Sequence, residues 1–200
     1  MVFGLALRWP RAMGPALGVA LTVLTLGASW IPAAFPDPRV LMTGIEYLPN
    51  SAVHRIVIWQ TTAKHIHERP WLGHGFDTSR SLYSQGAAEQ VHFARPTVGK
   101  SDGFRAEPIP LHPHNMALQV WLELGAVGVV LVLGALQSVL AVLSRMPLSV
   151  VNQAAGHGFF VAALSTSVVA YGAWQAWWLS ALGLCVSLLT VVLFGSRKSL

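Results

Sequence analysis

The feature that most constrains this chain is its division into long apolar runs and one long polar segment. From about Met116 to Leu143 the only charged residue is Glu123, and Arg145 and Pro147 then end the run. Roughly 20 apolar residues in a helix cross a bilayer, so this run predicts a membrane span. The stretch from Val150 to Phe194 is too long for one crossing. It splits near Tyr171-Gly172 into Ala154–Ala170 and Ala173–Phe194. A further run, Ala12 to Phe35, follows Arg8 and Arg11, with Pro15 near its start, where proline is tolerated. A cleaved signal peptide ending at Gly27-Ala28-Ser29 is the rival reading of that run, and bulky Trp30 and the run's length argue against it. Composition agrees: 54% of residues are hydrophobic and 10% charged, against about 25% charged in soluble domains. The expected fold class is all-α, a multi-span membrane helical bundle of four spans forming a single membrane domain over residues 1–200.

Charge sets an expected orientation. With four spans, Arg8, Arg11, Arg145, Arg197 and Lys198 fall on one side, which the positive-inside rule makes cytoplasmic. The polar segment then lies outside, in the periplasm of a Gram-negative cell. Tyr171, Trp174, Trp177 and Trp178 cluster at the outer turn of the last hairpin, as an aromatic belt would. The net charge of +5 is spread through the polar segment and the ends of apolar runs, so it predicts no nucleic-acid partner. Cys185 is the only cysteine and lies in an apolar run, which excludes a disulfide framework.

The polar segment, Pro36 to His114, holds six arginines, two lysines, seven acidic residues and seven of the eight histidines. A connection of this length is usually functional. Within it Ala52 to Glu68 reads as an amphipathic helix, with Ile56, Trp59, Ala63 and Ile66 at three- and four-residue spacing. Asn50 or Ser51 is placed to cap it, and Arg69-Pro70 stops it. Trp71 to Phe76 makes a glycine-flanked turn, and Tyr83 to Pro110 reads as irregular chain.

Three places carry residues suited to chemistry. With Pro113 at the first helical position, His114 sits in the first turn, where the helix dipole favours the neutral imidazole a general base needs. Gly125 and Gly128 follow 11 and 14 residues later, on nearly the same face as His114 and Trp121, and predict close helix packing. A histidine that only hydrogen-bonds at an interface fits the same spacing. Asn115, Gln119 and Glu123, four apart, form a polar strip entering the span, suited either to a functional cavity or to an interhelix hydrogen bond. Arg55, one turn before Trp59, is a candidate clamp for a phosphate or diphosphate, because its guanidinium donates bidentate bonds. On the sequence alone a solvated surface position is the better account of any single arginine.

Metal binding gains little from the sequence. His65-x-His67 and His112-x-His114 have spacings that zinc sites use, but helical positions two apart point to different faces. No metal and no cofactor is expected. Nucleotide-binding and serine-hydrolase fingerprints are absent, and Gly73-His74-Gly75 carries no meaning alone.

Two blocks nevertheless resemble a known family. The string HPHNMALQVWLELGAVGVV, with His114-Asn115 and then Gly125-x-x-Gly128, looks like the motif of the O-antigen ligase and O-antigen polymerase family of bacterial inner-membrane glycosyltransferases. The block RIVIWQTTAKHIHERPWLGHG, from Arg55 to Gly75, is similar to that family's arginine, tryptophan, amphipathic helix, proline and Gly-x-Gly pattern. Together they cover about residues 45 to 145.

The resemblance implies glycan transfer from an undecaprenyl diphosphate carrier to an acceptor hydroxyl at the periplasmic face of the inner membrane. For a ligase of lipopolysaccharide biosynthesis the acceptor is the lipid A core; for a polymerase it is another repeat unit. It implies inversion at the anomeric centre without a metal, with His114 as the base and Arg55 on the carrier diphosphate. Asn115 and Glu123 are further candidate substrate contacts. Family members have ten or more spans and roughly twice this length. This chain matches their C-terminal part, and the missing helices would hold much of the carrier groove and another arginine. A non-catalytic fragment or subunit, binding a polyprenyl-linked glycan or a second membrane protein, is the alternative. A zinc-binding periplasmic sensor is a third reading.

Overall fold

The computed structural model describes residues 1–44, 49–83, 91–93, 96–97, 100–101, 104–106, 108–169 and 172–195. Ala170, Tyr171, Arg197 and Lys198, named above, lie outside them. The chain divides into two compact units, Met1–Thr25 with Leu131–Leu200, and Leu26–Val130.

The first unit is a packing of apolar helices. α1 (Val2–Arg8) lies against α7 (Val150–Val169), with Ala6, Met13 and Ala154 buried together. The first part of α2 (Pro10–Gly27) is tied to the later part of α6 (Met116–Arg145) by Gln137, whose Nε2 donates to the Gly18 carbonyl at 2.7 Å and to Thr22 Oγ1 at 2.9 Å. Gly18 leaves room for that contact, since a Cβ there would meet Gln137 Oε1 at 2.6 Å. α6 is joined to α7 by Gln153, whose Nε2 donates to the Ser144 carbonyl at 2.9 Å. Such bonds hold apolar helices together where burial of oil against oil contributes little. α8 (Ala176–Gly195) follows α7.

Among the described residues two helices, Met116–Arg145 and Ala176–Leu193, are long and apolar enough to cross a membrane. α2 has 18 residues and ends at Gly27, where a turn and a short 3-10 stretch (Ile31–Ala34) replace the helix expected to reach Phe35. Pro32 has no N–H, so an α-helix running through it would lose its bond to the Ala28 carbonyl. α7 begins at Val150, four residues before the expected Ala154.

The second unit is built around α4 (Asn50–Glu68). Its N-cap is Pro49, so Asn50 and Ser51 fall inside the first turn and neither caps it. The buried face runs through Val53, Val57, Ile58, Thr62, Ala63 and Ile66, with Ile56 and Trp59 at its margin. Ile66 meets Leu118 and Leu122 of α6 and Ala28 in one cluster. The 3-10 stretch rests on α4, where Gln60 Nε2 donates to the carbonyls of Pro32 at 3.3 Å and Phe35 at 3.1 Å. α3 (Pro38–Gly44) also packs on α4, and α5 (Thr78–Leu82) follows the glycine turn.

Helices carry the fold, but the stretch expected to be irregular contains two antiparallel ribbons. β1 (Val91–Phe93) pairs with β4 (Phe104–Ala106), and β2 (Pro96–Thr97) with β3 (Lys100–Ser101). These strands are too short for period-two alternation to show, which is why the sequence reads as loop.

Candidate functional site

The helix break at Gly125 organises the site. Gly125 has φ 60° and ψ −163°, so α6 is two helices joined at this residue. A break frees the carbonyls of residues 122 and 123 and the amides of residues 126 and 127, which would otherwise bond each other. The turn after α4 takes up all four. His74 N–H donates to the Leu122 carbonyl at 2.8 Å and Gly75 N–H to the Glu123 carbonyl at 3.0 Å. Ala126 N–H donates to the Pro70 carbonyl at 2.8 Å and Val127 N–H to the Trp71 carbonyl at 3.2 Å. Gly73 and Gly125 face each other so closely that a Cβ on either would meet backbone atoms at 2.5 Å.

This corrects two expectations. Gly125 is not one of two glycines on an unbroken helical stripe; it receives the Pro70–Gly75 backbone, and Gly73-His74-Gly75 is the matching half of that joint. Gly128 remains helical, and a Cβ there would run into the Leu124 side chain. From Ala126 to Arg145, α6 has 20 residues, about 30 Å at 1.5 Å per residue, which matches a hydrocarbon core. Glu123 therefore precedes that stretch instead of lying two turns into it.

Glu123 is fully buried, with 0% exposure. Gln119 Nε2 donates to its Oε1 at 3.0 Å, and Asp77 N–H donates to its Oε2 at 3.1 Å. A carboxylate so enclosed supports the loop and is not presented to a ligand. Asn115 is the N-cap of α6: its Oδ1 accepts from Leu118 N–H at 3.2 Å, and its carbonyl from Gln119 N–H at 2.9 Å. The helix starts at Met116, so Pro113 is not its first residue and His114 lies just outside it.

His114 is half-buried with φ 49°, and Asp77 has φ 59°; these are the left-handed non-glycine residues among those described. Such conformations cost about 1–3 kcal/mol each and gather at functional sites. Pro113 is buried, and its carbonyl accepts from Trp59 Nε1 at 3.1 Å. That bond pins the His112-Pro113-His114 strand to α4, one turn from exposed Arg55. The rings of His112 and His114 lie 4.3 Å apart.

Arg80, one of the six arginines of the polar segment, is a further residue of this site. Its Nε donates to Asp77 Oδ2 at 2.9 Å, and its charge reaches His112. Buried Glu123 thus positions Asp77, and Asp77 positions Arg80. The sequence signal was the helical spacing of Asp77 and Arg80, three apart. Arg69 caps the end of α4 and is exposed.

Burial holds the His112 imidazole below its ordinary value of 6.5, and His114 and Arg80 push the same way. Unfolding returns it to water, where it takes a proton more readily. Below about pH 6.5 the unfolded state binds more protons, so stability falls as pH falls. The thermal midpoint should decline between about pH 7 and 5, and His112→Gln should flatten that decline. Equal slopes in the two proteins would overturn the assignment.

The chain is similar to a protein of Rickettsia felis named "Putative polysaccharide ligase", 32% identical over 144 residues. Its namesakes in Rickettsia conorii and Rickettsia prowazekii are 33% identical over 144 residues and 32% over 143. In each case 72% of this chain is covered, and it spans 33% of the relative's length. No solved structure matches the chain significantly. The O-antigen ligase family model matches residues 1–133, which include the α4 block, the glycine turn and the His-Pro-His-Asn motif, and the chain therefore belongs to the O-antigen ligase family.

Proposed function

We propose that this chain works in glycan transfer from an undecaprenyl diphosphate carrier to an acceptor hydroxyl, with the lipid A core as acceptor. The observation that carries the reading is the bond from Trp59 Nε1 to the Pro113 carbonyl. It holds the backbone just before half-buried His114 against α4, one helical turn from exposed Arg55, which supports a role for both residues at one site.

His114 takes the proton of the acceptor hydroxyl as that oxygen bonds to the anomeric carbon. The bond from that carbon to the diphosphate oxygen breaks on the opposite face, so the centre inverts. The diphosphate leaves with the bonding electron pair, and the Arg55 guanidinium neutralises its growing charge. Imidazole is suited to the first task and a bidentate guanidinium to the second. Arg80 is the candidate second cation.

The proposed setting is the bacterial inner membrane, crossed by α2, the Ala126–Arg145 part of α6, α7 and α8. Arg8, Arg11 and Arg145 would face the cytoplasm, and the polar segment from Pro36 to His114 the periplasm. The hydrogen bonds from Gln137 to α2 support α2 as a membrane helix, and Trp174, Trp177 and Trp178 support the outer level of the last hairpin.

The test is transfer in membranes bearing the chain, supplied with a polyprenyl diphosphate-linked glycan. Arg55→Lys should reduce transfer by about tenfold or more, because a point charge does not reproduce the planar fork. Unchanged transfer would remove Arg55 from the carrier site. Carrier binding that depends on Arg55 without any transfer would favour the binding-only reading.

A further inference from the structure

Apart from the His114 site, a second group of ligating side chains joins the end of α4 to the glycine turn. We propose that His65, Glu68 and His74 bind one zinc ion, which clips α4 to that turn. One nitrogen of each imidazole and a carboxylate oxygen lie within 4.8 Å of one another.

His65 and Glu68, three apart, share a face of α4, and His65 Nδ1 donates to Glu68 Oε2 at 3.0 Å. His74 comes from a different element. Gly73 and Gly75 flank it with φ of 70° and 105°, and its own backbone N–H is fixed on the Leu122 carbonyl. Its ring stands 5.8 Å from that of His65 at 87°. His74 Nε2 donates to the His65 carbonyl at 2.7 Å, which leaves Nδ1 with its lone pair. A backbone carbonyl holding the second nitrogen is the usual way a ligating histidine is oriented.

Two imidazoles and a carboxylate are a set that zinc uses when its fourth position is open to water. With bonds of about 2.0–2.2 Å, neighbouring ligand atoms sit about 3.4 Å apart. The group must contract from its widest spacing by about 1.4 Å, and Glu68, with 58% side-chain exposure, is free of packing that would resist this. Zinc takes the place of the proton between His65 and Glu68. His67, the spacing partner of His65 in sequence, is engaged elsewhere: its Nε2 donates to the Ser29 carbonyl at 3.3 Å and its ring packs edge-on to Trp30. The inference is independent of glycan transfer, since the ion ties down the turn that carries Asp77 and contacts no reacting atom.

The test is zinc titration of the full chain, purified without a histidine tag and stripped with chelator, followed calorimetrically and by thermal unfolding. One zinc per chain should bind and raise the midpoint. Glu68→Gln, which keeps shape at an exposed position, and His74→Ala should each weaken binding by about tenfold or more. His67→Ala should leave affinity unchanged. Cobalt in place of zinc should give a visible tetrahedral spectrum in the wild type and lose it in both triad variants. Absence of stoichiometric binding, or binding indifferent to Glu68→Gln and His74→Ala, would overturn the site.

Discussion

His114→Ala is expected to lower glycan transfer by about 10²–10⁴-fold, the usual worth of a positioned acid–base group, while the protein still inserts and folds. The fold should survive because the contacts that fix the start of α6 do not run through the His114 side chain. Helix α6 is capped by Asn115, and the strand before it is held by the Pro113 carbonyl on Trp59. Those contacts use the backbone and the neighbouring residues, so alanine leaves them in place. The left-handed φ of 49° is already carried by a residue with a Cβ, so the change adds little strain. Transfer should be read against the amount of inserted protein, with His112→Ala as the comparison. Retention of wild-type rate by His114→Ala, or an equal loss with visible unfolding, would refute the role of base.

How much of this was legible in the sequence depended on the range of the interaction. The amphipathic run of α4 and the apolar run of α6 were readable because period and length are local signals. The family blocks were readable as strings. What escaped was decided between residues far apart in the chain. Gly125 looked like one more small residue on a helical stripe, because nothing near it announces that Pro70 to Gly75 will satisfy the four groups its break exposes. Glu123 looked like a charge inside a span, because the break that keeps it out of the apolar stretch was hidden. The Trp59–Pro113 bond crosses 54 positions, and no spacing rule reaches that far. The caps show the same limit on a small scale: Asn50 or Ser51 was expected to cap α4, and its N-cap is Pro49.

Gly125→Ala is expected to be the most damaging single change in the second unit. At φ 60° and ψ −163° the backbone is in a region open essentially to glycine alone, which costs a Cβ-bearing residue about 1–3 kcal/mol. The new Cβ would also meet Gly73 N and the Trp71 carbonyl group at 2.5 Å. These are backbone atoms that cannot rotate aside, and overpacking of this kind costs about another 1–3 kcal/mol. Moving the turn away would break the four bonds from His74, Gly75, Ala126 and Val127, leaving their donors and acceptors unpaired. A combined loss of about 2–6 kcal/mol corresponds to a drop in thermal midpoint of roughly 4–24 °C for a chain of this size. Gly134→Ala is the control, because a Cβ there meets nothing within 4 Å and alanine favours the helix. The turn should become open to limited proteolysis near Trp71–Phe76 in Gly125→Ala and stay protected in Gly134→Ala. Transfer should fall with it, because Asp77, Arg80 and the start of α6 are placed through this joint. A Gly125→Ala protein with an unchanged midpoint and a protected turn would show that α6 runs straight and that the joint does not exist.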